Sequence, residues 1–177
     1  MSTVAVSIGR PGASEYDPYY ERYISLVKTD DIITTLQKQP QDTQALLRPL
    51  SAQQAESRYA PGKWSVKEVL GHMCDTERIM TYRALRIGRG DKTPIEGFEQ
   101  DDYVPNGQFD RRTLEDLLDE FLTIRKATIQ LFSHFDPAAA ERCGTANQKQ
   151  ISARALAYII AGHELHHRRI LQEKYLR

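Results

Sequence analysis

The spacing of its apolar residues limits this chain more tightly than any other feature. They recur three and four positions apart over long runs, while the alternation that marks half-buried strands is scarce. Residues 18–36 carry the first run, with Tyr19, Tyr23, Leu26, Val27, Ile33 and Leu36 at helical intervals. Asp17 and Pro18 supply its cap and first turn, and Pro40 lies beyond its end. A linker punctuated by Pro49, Pro61 and Gly62 follows, with short helices expected near residues 43–47 and 51–57. The second run starts at Ser65, where Glu68 completes a capping-box pattern. Val66, Val69, Met73, Met80, Ala84 and Ile87 then form one stripe, which Gly88 and Gly90 close. Residues 89–110 read as a connection rich in Gly, Pro, Asp and aromatics, long for a bundle loop. The third run starts at Thr113, with Asp116 as a weaker capping partner. Leu114, Leu117, Leu118, Phe121, Ile124, Thr128, Leu131 and Phe132 follow, and the run ends before Asp136 and Pro137. The fourth covers residues 152–175.

Four amphipathic helices without strands predict an all-α protein, a four-helix bundle, with a loose Gly-, Pro- and Ser-containing arm over residues 1–14 and a single domain over 15–177. The long second connection allows more than a simple up-down topology. Charge narrows the function. Lys plus Arg and Asp plus Glu are both 24, so the basic excess of a nucleic-acid binder is missing. No apolar run reaches the length of roughly 20 residues that a bilayer demands, and no basic stretch leads into a long apolar one at the start. The two cysteines, Cys74 and Cys143, form neither a CxxC pair nor a disulfide framework. The expectation is a cytoplasmic protein with no nucleic-acid or membrane partner.

Chemistry concentrates in the histidines. Of the five, three fall in the segment GHELHH at residues 162–167. At ~100° per residue from His163, the stripe of Leu156, Ile159, Ile160, Ile170 and Leu171 centres near +20°, His167 falls at about +40° and His166 at about −60°. The core line therefore favours His163 with His167 as a chelating pair over His163 with His166. A third ligand must come from another helix, and His72, beside the stripe of the second run, is the candidate. Thr76, Ile79 and Arg83 share its face. Residues 163–167 also match the HExxH pattern of zinc proteases literally, although the strand-rich subdomain such enzymes carry is not legible here. His134, near the end of the third run, suits a helix terminus.

The segments YAPGKWSVKEVLGHMCDTERIMTYRALRIGRG and ISARALAYIIAGHELHHRRILQEKY resemble the DinB-like superfamily, in particular its YfiT-like branch. The shared features are Trp64 before the second helix, His72 followed by Asp75, Thr76 and Glu77, the pair Tyr82-Arg83, and Gly162-His163 with His167. The resemblance extends over most of residues 17–177. It implies a four-helix bundle with one metal held by His72, His163 and His167, zinc or nickel as the ion, and a homodimer in many members. Two enzyme classes follow from it: metal-dependent hydrolysis, and transfer of a low-molecular-weight thiol such as bacillithiol or mycothiol, each on a small-molecule substrate. A non-catalytic metal-binding or stress-response module is the alternative. Asp75, Glu77 and Glu164 are candidates for orienting imidazoles, Glu164 also for a general base, and Arg83 for an anionic substrate group or a structural ion pair.

Overall fold

The computed structural model describes residues 8–176. Its α-helices are α1 (Glu21–Ile24), α2 (Ile32–Leu47), α3 (Ala52–Glu56), α4 (Val66–Gly88), α5 (Gln100–Gly107), α6 (Leu114–Ser133), α7 (Pro137–Glu141) and α8 (Ala153–Ile170). A π-helical turn, Leu171–Tyr175, prolongs α8, and an antiparallel hairpin, β1 (Cys143–Ala146) with β2 (Lys149–Ser152), precedes it. The four long helices α2, α4, α6 and α8 make a bundle, as the apolar periodicity predicts. No helix among the described residues is long and apolar enough to cross a membrane.

Capping residues fix where these helices begin. Ser65 and Glu68 form the expected reciprocal box at the start of α4, with Ser65 N donating to Glu68 Oε2 at 2.7 Å and Glu68 N to Ser65 Oγ at 3.1 Å. Thr113 Oγ1 accepts from Asp116 N, and Ser152 Oγ from Ala155 N, each at 3.1 Å.

The first run departs from the sequence reading. It is not one helix: a 3₁₀ turn at Pro18–Tyr20 and α1 stop at Ile24, and α2 begins only at Ile32 behind its cap Asp31. The Thr29-Asp30-Asp31 cluster is responsible, because side-chain acceptors compete with helix continuation there: Asp31 N donates to Thr29 Oγ1 and Thr34 N to Asp31 Oδ1. Pro40 then lies inside α2, not beyond it. A proline there leaves the carbonyl four residues earlier without its helical donor. The Leu36 carbonyl finds another, the Arg125 guanidinium, at 3.3 Å. The expected loose arm falls partly on residues 1–7, outside the described residues. Residues 8–14 are tied down, with Ile8 buried and the Arg10 guanidinium donating to the Ile24 and Val27 carbonyls. The hairpin was not legible as strands, and the connection after α4 contains α5.

Within the bundle each long helix packs on two of the other three, giving the cyclic order α2, α6, α4, α8, and α1 packs on α8 as well. Two apolar cores stack along the bundle. Leu36, Met80, Phe132 and Leu156 belong to one, and Leu47, Leu70, Leu117 and Leu171 to the other. Following each helix from core to core, α2 and α8 run one way, and α4 and α6 the other. The parallel pair α4 and α6 explains the long connection 89–113, which must return the chain along the length of the bundle. Between the cores lies a buried polar layer: Thr43 from α2, Glu77 from α4, Arg125 from α6, and His163, Glu164 and His167 from α8.

Candidate metal centre

His163 and His167, one turn apart on α8, aim their rings inward at the level of the polar layer. His72 meets them from α4. His72 Nε2 and His167 Nε2 each stand 3.0 Å from His163 Nε2. All three residues are buried, and their donor atoms lie within 4.8 Å of one another. No other His, Cys, Asp or Glu among the described residues joins the group. His166 is not part of the group; it is half-buried, with its ring centroid 5.1 Å from that of His167 and 5.4 Å from that of Tyr23.

The chemistry of this donor set fits a cation. A neutral imidazole carries one N–H and one lone pair. His163 Nε2 faces two ring nitrogens and can satisfy only one of them by a hydrogen bond, whereas a shared cation accepts lone pairs from all three. Burial keeps the rings neutral. It lowers His72 to about 4 and holds His163 and His167 well below the usual imidazole range, and neighbouring imidazoles push each in the same direction.

Surrounding residues fix the rings. The Trp64 ring lies 4.8 Å from that of His72, and the Tyr175 hydroxyl donates to the Trp64 carbonyl at 2.7 Å. Thr76 Oγ1 stands 3.5 Å from His72 Nδ1. Tyr23 lays its ring against His163, 5.4 Å between centroids. That approach requires Gly162, because any Cβ there would overlap the Tyr23 backbone carbonyl. Gly71 likewise leaves room for the Phe109 ring beside His72.

Among the described residues, no hydrogen bond joins the acidic residues of the two motifs to the imidazoles. Glu77 and Glu164 bind Arg125 instead. Arg125 Nε and Nη2 donate to the two Glu77 oxygens at 2.7 and 2.8 Å, and Nη1 donates to Glu164 Oε2 at 2.6 Å. Thr43 Oγ1 donates to the other Glu164 oxygen at 2.5 Å. Burial opposes the charge on Arg125, but the two carboxylates outweigh it and raise the guanidinium pKa. With both oxygens occupied, Glu164 is not the free base of an HExxH protease. It also sits deep in the bundle, where α8 meets α2 and α6. Asp75 is half-buried, 3.7 Å from Arg78. His134 caps the end of α6, its Nδ1 2.7 Å from the Gln130 carbonyl.

Beside the triad opens a cavity of about 430 Å³, whose wall includes His72, His163, Tyr20, Tyr23, Thr76 and Arg83. Sequence reasoning missed Arg125 and Tyr23 as parts of this centre. A signal for Arg125 was present: it stands at core spacing between Leu118, Phe121, Thr128 and Phe132, where a charge has to be paired. For Tyr23 there was none, because the fold of residues 18–31 was misread.

A solved structure similar to this one is YfiT from Bacillus subtilis, described as a probable metal-dependent hydrolase with an unusual four-helix bundle topology. The two superpose with a TM-score of 0.72 at 15% identity, over 92% of each chain. No curated protein matches the sequence. The profile of the DinB superfamily matches residues 35–171, so it takes in α4, α6, α8, all but the first turn of α2 and all three histidines, and the chain belongs to that superfamily.

Proposed function

We propose that this chain is a metal-dependent enzyme in which His72, His163 and His167 hold one divalent ion, zinc or nickel, and a small molecule reacts in the adjoining cavity. The observation that carries this reading is the convergence of three buried imidazole nitrogens, without a fourth protein donor among the described residues, beside a cavity of about 430 Å³. Three protein ligands and an exchangeable position distinguish catalytic from structural zinc. A divalent ion held this way supplies Lewis acidity and lowers the pKa of water or of a thiol.

The chain's own residues would do the rest. The trio of rings, kept neutral by burial, presents lone pairs rather than protons. Tyr20 and Tyr23, whose phenols burial pushes up, act as neutral hydroxyl donors on the cavity wall and not as bases. Thr76 adds a hydroxyl within the same wall. The description of YfiT as a probable metal-dependent hydrolase supports hydrolysis, and the same donor set suits transfer of a low-molecular-weight thiol. Free thiols at Cys74 and Cys143 accord with work in a reducing cytoplasm. The test is a panel of ester, amide and thiol-transfer substrates, assayed with and without chelator. Turnover that the chelator abolishes and added zinc or nickel restores is expected. Turnover indifferent to chelator contradicts the reading.

A further inference from the structure

Arg83 is a buried cation with no ion-pair partner among the described residues. It is only 2% exposed. Nη2 donates to the Glu96 carbonyl at 2.9 Å, Nη1 rests 3.8 Å from Met80 Sδ, and Nε has no partner. The guanidinium lies 5.8 Å from the centroid of the Phe98 ring and has the Tyr20 phenol as a hydrogen-bonding neighbour. None of these neutral groups balances its charge. Two carboxylates share the cavity wall, Asp17 and Glu99, and neither forms an ion pair with Arg83 among the described residues. Asp17 accepts from Tyr19 N at 2.9 Å and pairs with Lys149 at 3.5 Å, while Glu99 accepts from Asp101 N at 3.2 Å. Burying a guanidinium without a counter-charge is costly, which makes this one a receptor for an anion that arrives from outside.

Its position says which anion. His72, Thr76, Met80 and Arg83 lie at helical spacing along one face of α4 and line the same cavity. We propose that Arg83 binds the carboxylate of the substrate, so that the enzyme acts on small organic acids whose reacting group lies at the far end from the acid. This rests on the reading of the three histidines as the metal site. The planar guanidinium, with an idle Nε–H edge, matches a planar carboxylate. Eleven residues separate the α-carbons of His72 and Arg83, about 16 Å along the axis; both side chains lean toward the helix N-terminus, the longer arginine farther, leaving roughly 10–15 Å for the substrate to span.

The test uses the full chain loaded with cobalt(II) and a series of ω-mercapto acids, from mercaptopropionate to mercaptooctanoate, each beside its primary amide. Thiolate-to-cobalt charge transfer reports occupation of the metal. The acids of intermediate length are expected to bind roughly tenfold or more tightly than their amides. Arg83→Met should erase that preference while leaving the amides and the metal content unchanged. Charge-transfer bands with acids and amides of equal affinity at every length would overturn the proposal and leave the metal reading standing. Absence of any band, with no cobalt retained, would overturn the metal reading instead. Heptanoate against heptanamide, followed by the Arg83 Nε–H resonance in the unsubstituted chain, then decides the arginine alone: a saturable shift with the acid only supports it, and no shift sinks it.

Discussion

Single residues decide how tightly the imidazoles are held. Gly162 precedes His163, and its missing side chain lets the Tyr23 backbone cross α8 there. Gly162→Ala should therefore cost about 1–3 kcal/mol of stability by overpacking. It should also loosen metal binding, because the displaced Tyr23 ring flanks both His163 and His166. Urea denaturation together with a metal titration checks this, and unchanged values in both would show that the contact is unimportant. The shared inward face of His163 and His167 was readable at this scale, since helical angle alone separates His167 from His166. The partners of Glu77, Glu164 and Arg83 were not. Which charge a buried side chain meets depends on helix neighbours far apart in sequence, and periodicity carries no such information.

At the scale of elements, the long helices were legible where an apolar stripe coincided with a capping residue, as at Ser65, Thr113 and Ser152. Reading failed where local side-chain hydrogen bonds overrode the stripe, as at Thr29 to Asp31. It failed again at Pro40, where a tertiary donor replaces the lost helical one. The hairpin is short, and its turn residues Asn147 and Gln148 both adopt positive φ, 50° and 62°, without the glycine that usually signals such a turn. Gln148→Gly should stabilise the protein by about 0.5–1 kcal/mol by relieving the left-handed conformation. The midpoint of urea unfolding should rise accordingly, and a fall would show that the turn is not strained. Because Ala146 and Asn147 line the cavity, this substitution also tests whether the hairpin can be stiffened without closing the site.

Across the whole molecule, Arg125 ties the four bundle helices at one level: the Leu36 carbonyl on α2, Glu77 on α4 and Glu164 on α8 all converge on it. Arg125→Met should cost about 3–5 kcal/mol, since it strands two buried carboxylates. Replacing Glu77, Arg125 and Glu164 together by apolar residues of similar volume should restore most of the loss. A triple variant no more stable than the single one would contradict this view of the layer. The helix order around the bundle was beyond the sequence, because connection lengths permit several arrangements. Only the structure shows that parallel α4 and α6 force the long return of residues 89–113.

The three converging rings and the cavity beside them acquire a common purpose if a cation sits among the rings. The most direct measurement is a zinc titration of purified protein, with the bound ion examined by X-ray absorption, in the unsubstituted chain and in the His163→Ala, His167→Ala and His166→Ala variants. One tightly bound ion per chain, with three imidazole nitrogens at about 2.0–2.1 Å, is expected in the unsubstituted chain and in His166→Ala, and loss of tight binding in the other two. Full retention of the ion in His163→Ala or His167→Ala would contradict the account.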